Sequence, residues 1–228
     1  MITQFVMIST VILLILTGKK FFQENRKTKY RPILMFGLGL FLIAFGIFCY
    51  AIRDIVFQLG MENIHPQILK LGGFVHFLGN VLILWFICNE FTRIPLLRYV
   101  VFILLGIFLF AFFGLLSGRF FVLKSQIQQA PLEPFKYLVV RNYFSEPLAN
   151  TITLVEIIII CLLIFGIMLY HSLREKDKKL RTKGFFYMFG VLFLVVSMLI
   201  CMFISPIFAR IGYLIGAILI FQATKMKV

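Results

Sequence analysis

Six polar or charged side chains lie inside otherwise apolar stretches of this 228-residue sequence, and they are the residues that could do chemistry. They are Arg53, Asp54, His76, Asn80, Glu156 and Arg210. Carboxylates can carry protons, guanidinium groups bind anions, and an imidazole or an amide can hydrogen-bond a ligand. Because an ionisable group costs about 2.5 to 3.5 kcal/mol at the centre of a membrane helix, such groups tend to face a cavity or one another. The six residues therefore form a candidate polar pocket.

A structural interpretation competes with the pocket. In it, the two arginines extend to the membrane interface, Asp54 pairs with an arginine, and other polar groups hydrogen-bond between helices. His76 and Asn80 are four residues apart, so a helix would present them on one face, where they suit either interpretation. For Glu156 the functional interpretation is favoured, because isoleucines follow this residue and its own span offers no partner for the carboxylate.

Composition decides which kind of protein must position these residues. Mean hydropathy is +1.02, 61% of residues are hydrophobic and only 14% are charged, whereas about 25% of residues are charged in soluble domains. The sequence therefore predicts a polytopic membrane protein with no additional soluble domain. The net charge of +14 lies in short segments between apolar stretches, which favours contact with anionic lipid headgroups and argues against nucleic acid as a partner.

Seven apolar stretches have a length suited to membrane spans, for which about 17 to 25 residues are usual. We predict an all-α, single-domain bundle over 1–228 with spans at 2–18, 33–57, 70–89, 99–116, 151–172, 184–205 and 207–224. The last two are divided at Pro206, because one helix over both would be about 60 Å long, twice the hydrocarbon thickness.

The distribution of basic residues orients the bundle. Sixteen of the 23 Lys and Arg residues fall on one side, in the C-terminal tail and in segments 19–31, 90–98 and 173–183. Since positive charge is retained in the cytoplasm, the N-terminus is predicted outside and the C-terminus inside. All six polar residues then lie in the outer half of the membrane. The outer loop 117–150, rich in aromatic residues, is expected to form a folded cap or an interfacial segment over the pocket.

No cofactor or metal is predicted. A retinal-type Schiff base needs a lysine within the last span, and Lys225 follows that span. Zinc or bis-histidine haem would need more ligands than His76, the histidine that lies well inside a span. The four cysteines lie in apolar stretches without ligand-like spacing and are interpreted as small buried hydrophobes: Cys49, Cys88, Cys161 and Cys201.

One segment resembles a known class of membrane regions. The sequence LREKDKKLRTKGFFYMFGVLFLVVSMLI (173–200) is similar to the joint between the fifth and sixth helices in the seven-helix membrane regions of prokaryotic sensor kinases and related sensors. This resemblance implies a sensor or receptor-like protein, or a membrane subunit of a larger complex, in a prokaryotic cytoplasmic membrane. Such sensors carry a cytoplasmic kinase or cyclase domain that this sequence does not include, so a signal is expected to pass to a separate protein partner.

An internal repeat would point to a different function. Met-Phe-Gly occurs at 35–37 and 188–190, and LGNVLIL at 78–84 parallels IGAILIF at 215–221. Spans 1–3 and 5–7 could thus be parallel three-helix repeats joined by span 4, a 3+1+3 plan of the parallel-repeat kind that some transporters use. The competing explanation is chance similarity between segments rich in Phe, Leu and Ile.

The repeat defines the alternative function, a small secondary transporter in which Glu156 or Asp54 is a proton-coupled carboxylate. An intramembrane enzyme is the third hypothesis, and no catalytic residue is assigned for it.

Overall fold

A computed structural model of the chain describes residues 2–59, 61, 64–91, 99–101, 103–104, 106–107, 123–129, 138–144, 147–203 and 206–226. Its long helices and its strands are α1 (Ile2–Thr28), α2 (Arg31–Gln58), α3 (His65–Phe91), β1 (Leu123–Gln129), β2 (Leu138–Phe144), α4 (Pro147–Arg174), α5 (Lys178–Phe203) and α6 (Pro206–Lys225). Six helices in the described part are long and apolar enough to cross a membrane, which makes the chain a multi-pass membrane protein. Residues 99–101, 103–104 and 106–107 are helical and fall in the fourth predicted span, whose remainder lies outside the described residues.

Two basic segments that the sequence predicts as loops between spans, 19–31 and 173–183, are largely helical. Helix α1 continues ten residues past its predicted end, through the first basic segment to Thr28. The connection to α2 is only Lys29 and Tyr30. Lys29 has φ 53° and its N–H donates to the carbonyl of Asn25 at 2.7 Å, which ends the helix. The loop prediction was wrong because Lys and Arg are good helix formers, and a continued helix keeps its backbone hydrogen bonds satisfied beside the membrane.

The two later helix reversals follow local sequence rules. Asp177 caps α5, since its Oδ1 accepts hydrogen bonds from the N–H groups of Lys179 at 2.7 Å and Leu180 at 3.4 Å. Pro206 begins α6, so the predicted division of the last apolar stretch is confirmed. Proline suits this first position because the N–H it lacks would have no partner within the helix.

The helices form a closed ring in chain order. Each of α1 to α6 packs on the next one, and α6 packs on α1. Helices α2 and α5 therefore lie opposite each other, and so do α3 and α6. The buried hydrophobic core runs through the middle of this ring, whereas many large apolar side chains on its outer surface are exposed, as expected for helices that face lipid.

Hydrogen bonds gather the basic helix ends at one end of the ring. The pairs are Tyr30 Oη to Glu90 Oε1 at 2.6 Å, Lys20 Nζ to Thr224 Oγ1 at 3.3 Å, Lys183 Nζ to the Met226 carbonyl at 3.4 Å, and His171 Nε2 with the Phe91 carbonyl. We call this the basic end. It holds the last residues of α1, α3, α4 and α6 and the first residues of α2 and α5. Helix α3 therefore ends at the basic end, whereas α4 starts at the opposite end.

Glycines let two pairs of neighbouring helices come close. A Cβ on Gly79 of α3 would lie 2.7 Å from the carbonyl oxygen of Gly39 in α2. In the other half of the ring, a Cβ on Gly216 of α6 would lie 2.7 Å from the carbonyl oxygen of Gly190 in α5. Real Cβ atoms do not approach that closely, so both crossings depend on glycine, as is common between membrane helices.

Part of the predicted outer loop is a β-hairpin. Strands β1 and β2 pair antiparallel, from Leu123 opposite Phe144 to Gln129 opposite Leu138, and β2 lies near α4, α5 and α6. The predicted all-α class therefore holds for the membrane helices and not for this segment. Strand β2 is rich in valine and aromatic residues, which favour extended structure. Helix α4 begins at Pro147, four residues earlier than predicted, which shortens the loop.

Candidate functional site

Three of the six predicted site residues form an ionic cluster at the end of the ring opposite the basic end. Arg53 Nε donates to Asp54 Oδ1 at 3.0 Å, and Nη2 of Arg53 also binds this oxygen. Arg210 Nη2 donates to Asp54 Oδ2. Arg53 and Asp54 lie near the end of α2, and Arg210 lies in the first turns of α6. The cluster therefore joins α2 to α6, which are separated in the ring by α1.

All three side chains of the ionic cluster are buried. The expectation that Asp54 pairs with an arginine is confirmed, and both guanidinium groups bind the carboxylate inside the bundle. Burying charged groups is costly and is tolerated here because each oxygen of Asp54 has a guanidinium partner. The arrangement fixes the end of α2 against the start of α6.

His76 and Asn80 share the buried face of α3, as their spacing predicts. The His76 ring lies near Tyr50 of α2, with centroids 5.9 Å apart, and near Tyr213 of α6, with centroids 5.3 Å apart. Asn80 Nδ2 donates to the sulfur of Met198 at 3.3 Å, a weak acceptor. Within the described part of the chain, neither ring nitrogen of His76 has a hydrogen-bond partner, nor does Asn80 Oδ1.

Glu156 lies on the buried side of α4, with 3% of its surface exposed. Its Oε1 has no hydrogen-bond partner among the residues that the structure describes. The contact between His171 and Phe91 aligns α4 with α3, which run in the same direction. Glu156 precedes His171 by 15 residues and His76 precedes Phe91 by 15 residues, about 22 Å in each helix. Glu156 and His76 therefore lie at the same height in packed helices.

The six predicted residues occupy two heights in the bundle. A Cβ on Gly46 of α2 would meet the Cβ of His76 at 2.7 Å, so Gly46 marks the height of His76. Asp54 follows Gly46 by eight residues, about 12 Å along α2. Arg210 bridges this gap with its long side chain, because it lies three residues from Tyr213. We call the residues near the middle the polar level: His76, Asn80 and Glu156. One pocket shared by all six stays a prediction.

An aromatic cluster crosses the ring on the other side of the polar level. Phe36 of α2 contacts Phe21 of α1 at 4.8 Å, Phe86 of α3 at 4.9 Å and Tyr187 of α5 at 6.0 Å between ring centroids. Helices α2 and α5 are opposite in the ring, so this contact closes its interior toward the basic end. Neither this cluster nor the two tyrosines beside His76 were predicted, because aromatic residues are too frequent in this sequence to mark a site.

The described residues contain no group of three or more His, Cys, Asp or Glu side chains that could hold a metal ion. Cys49, Cys88 and Cys161 form no disulfide bond within the described part of the chain. Of these, Cys49 and Cys88 are buried as the sequence predicts, and Cys161 is only half-buried. The side chain of Cys201 lies outside the described residues.

Comparison with models of protein families, with curated proteins and with solved structures finds no match. The fold and the site themselves define the class of protein. It is a multi-pass membrane protein whose ring of six described helices surrounds a buried polar level.

Proposed function

We propose that the chain is a small membrane transporter of seven spans, with its N-terminus outside and its basic end in the cytoplasm. The observation that carries this proposal is a buried polar level between two sets of contacts that cross the ring, the ionic cluster and the aromatic cluster. A solute held between them is separated from both sides of the membrane. Opening one set of contacts at a time would let it leave on either side.

The heights of the two clusters support this arrangement. From Gly46, which marks the height of His76, Asp54 lies about 12 Å toward one end and Phe36 about 15 Å toward the other, at 1.5 Å per residue. The polar level is thus near the centre of a hydrocarbon layer about 30 Å thick. Transporters bind their substrates near this midplane, where two structural repeats meet.

The two glycine crossings support a parallel repeat of α1–α3 and α4–α6. Helices α2 and α3 cross at Gly39 and Gly79, and α5 and α6 cross in the same way at Gly190 and Gly216. A Cβ on Gly39 would contact Ile83, and a Cβ on Gly190 would contact Ile220. The equivalence of α3 with α6 agrees with the sequence match between 78–84 and 215–221, which aligns Gly79 with Gly216. The match at Met-Phe-Gly is shifted by two residues, because Gly39 rather than Gly37 corresponds to Gly190.

These equivalences also locate the axis of the repeat. They pair Phe36 with Tyr187 and His76 with Tyr213, and in each pair the two rings are in contact. Two equivalent residues can touch only beside the axis that relates them. The axis would therefore run along the centre of the ring, past the aromatic cluster and the polar level, as expected for a parallel repeat.

The seventh span is supported by the end of α3 and the start of α4, which lie at opposite ends of the bundle. A single helix at 99–116 would bring the chain from the basic end to the start of α4, which gives both repeats the same orientation. Topology can be tested with one cysteine at a time in a protein freed of its own cysteines. Lys178→Cys should react only with a reagent on the cytoplasmic side, and Met61→Cys, exposed at the opposite end, only from outside. Reaction of position 178 from outside would reverse the orientation.

Glu156 is the better of the two proposed proton-coupled carboxylates. Both oxygens of Asp54 are bound by arginine, so a proton would have to displace a guanidinium. Oε1 of Glu156 has no such partner in the described part of the chain. Glu156 also lies at the height of His76, where a solute would bind.

Flux in proteoliposomes tests the transporter directly. A pH-sensitive dye inside the vesicles should report proton movement when a transported solute is added to the wild-type protein. Glu156→Gln keeps the shape of the side chain and should abolish the proton signal. Glu24→Gln, at an exposed position of α1, is the matched control and should behave as the wild type. A Glu156→Gln variant with an unchanged proton signal would remove this carboxylate from the mechanism.

A sensor, a receptor-like protein or a membrane subunit of a complex is the second candidate. The first turns of α5 favour it, because Lys178, Lys179 and Arg181 are exposed there and could contact a cytoplasmic partner as well as anionic lipid headgroups. Purification in mild detergent would then retain a protein partner, and Lys179→Glu/Arg181→Glu would release it. Retention of a partner by a protein that moves no solute would favour this candidate over the transporter.

A further inference from the structure

We propose that the polar level binds a small uncharged solute rich in hydrogen-bond donors, such as a polyol or a urea-like amide. This inference rests on the proposed transporter for the movement of the solute, whereas binding itself requires only the site. It follows from the unpartnered atoms of the site, from the charges on either side and from the close packing of the side chains around these atoms.

The unpartnered atoms indicate that something binds here. His76, Asn80 and Glu156 are 0%, 1% and 3% exposed. Both ring nitrogens of His76, Oδ1 of Asn80 and Oε1 of Glu156 have no hydrogen-bond partner in the part of the chain that is described. About nine in ten buried polar groups in proteins have one. Four such atoms on two packed helices, on residues within about 6 Å of one another in height, form a site for a molecule that would hydrogen-bond them.

The chemistry of these atoms calls for donors on the ligand. A neutral imidazole offers one donor and one acceptor, and the amide and carboxyl oxygens add two acceptors. Acceptors thus outnumber donors by three to one. Hydroxyl and amide N–H groups satisfy acceptors, whereas a simple anion brings only acceptors of its own. The site therefore selects against anions.

Charges at both ends select against cations. A cation that enters from the ionic cluster must pass Arg53 and Arg210. A cation that enters from the other side must pass the basic end, where most of the lysines and arginines lie. Like charges repel strongly at the buried ionic cluster and more weakly at the exposed basic end, where salt screens them. An uncharged solute meets neither barrier.

The spacing of the side chains limits the size of the solute. The ring of His76 is 5.3 Å from that of Tyr213 and 5.9 Å from that of Tyr50, measured between centroids. Asn80 Nδ2 contacts the sulfur of Met198 at 3.3 Å, and this weak acceptor can be exchanged for an oxygen of the ligand. At these distances the rings touch, so the proposed solute is a small one, of the size of glycerol or urea, that binds by replacing the contact between Asn80 and Met198.

Uptake by proteoliposomes tests the solute class. Radiolabelled glycerol and urea represent the proposed class, and glutamate and choline represent anions and cations. Glycerol or urea should enter at least tenfold faster than into protein-free vesicles, and glutamate and choline should not. His76→Leu and Asn80→Leu should each lower this uptake at least tenfold. Gln222→Leu makes the same kind of change at an exposed position and should leave it unchanged.

Thermal unfolding separates binding from folding. His76→Leu removes two unpartnered polar atoms, so its unfolding midpoint should equal or exceed that of the wild type although uptake is lost. Addition of glycerol, without urea, should raise the unfolding midpoint of the wild type more than that of His76→Leu. A shift that depends on His76 without any uptake would support the site and overturn the transporter. Uptake of glutamate or choline that is insensitive to His76→Leu would overturn the solute class and leave the transporter standing. Absence of both uptake and shift would overturn the inference.

Discussion

The carboxylate of Asp54 binds the guanidinium of Arg210 across the helix ring, although 156 residues separate the two in the chain. Arg53, the neighbour of Asp54 in α2, binds the other carboxylate oxygen. These ion pairs hold the end of α2 to the start of α6. Phe36 and Tyr187 hold α2 to α5 nearer the basic end by an apolar contact. The two ends of the bundle are closed by different chemistry and can be perturbed separately.

Replacement of Asp54 by alanine should destabilise the protein strongly. It would leave two guanidinium groups buried without their shared carboxylate, and breaking a buried ion pair in this way costs about 3 to 5 kcal/mol. Unfolding by a denaturing detergent, followed by circular dichroism, measures the change. Asp177→Ala removes an exposed helix cap instead and should cost about 1 kcal/mol. Equal effects of the two substitutions would show that the cluster contributes no more than a cap.

The glycine crossings predict two matched losses of stability. Gly79→Ala and Gly216→Ala would each place a methyl group 2.7 Å from a backbone oxygen of the neighbouring helix. Such overpacking costs about 1 to 3 kcal/mol, because a backbone cannot move aside as a side chain can. Gly166→Ala is the control, since its added Cβ meets nothing within 4 Å and alanine favours a helix by up to about 1 kcal/mol. If Gly79→Ala lowered the free energy of unfolding and Gly216→Ala left it unchanged, the two crossings would not be equivalent and the repeat would be wrong.

Tyr30 should titrate at unusually high pH. The hydrogen bond that its hydroxyl donates to Glu90 at 2.6 Å raises the pKa of Tyr30, with a smaller contribution from partial burial. A raised pKa means that this hydrogen bond stabilises the fold below the unfolded value of about 10 and is lost as the pH rises through the folded value. Tyrosinate absorbance of the wild type minus that of Tyr30→Phe gives the midpoint. Glu90→Gln should lower this midpoint, and an unchanged one would mean that the hydrogen bond does not persist in solution.

Sequence reasoning located the membrane helices well and their ends poorly. The hydrocarbon thickness determines how long an apolar stretch must be, so the six described spans could be read from hydropathy. It does not determine where a helix stops outside the membrane. Helix α1 therefore runs on through Lys19 and Lys20 to Thr28, where the left-handed Lys29 ends it. Strand β1 was missed because its sequence, LKSQIQQ, lacks the regular alternation that marks a half-buried strand.

Features of the site that depend only on helical spacing could be predicted. Contacts that depend on the order of the helices in the ring could not. His76 and Asn80 could be assigned to one face from their separation of four residues. The contact of His76 with Tyr213 depends on α3 and α6 lying opposite each other in the ring, which no local pattern encodes. For the same reason, Asp54 could be expected to pair with an arginine, but the separation of the ionic cluster from His76 by about 12 Å could not be predicted.

The contact between Phe36 and Tyr187 predicts an energetic coupling between opposite helices. Their rings meet edge to face at 87° with centroids 6.0 Å apart, a geometry worth about 0.5 to 1.5 kcal/mol beyond the burial of each ring. A double-mutant cycle of Phe36→Ala and Tyr187→Ala, followed by detergent-induced unfolding, should recover this coupling. Tyr170, which is 50% exposed on α4, supplies the control, because Phe36→Ala and Tyr170→Ala should be additive. Additivity of Phe36→Ala with Tyr187→Ala would mean that the aromatic contact does not hold the basic end closed.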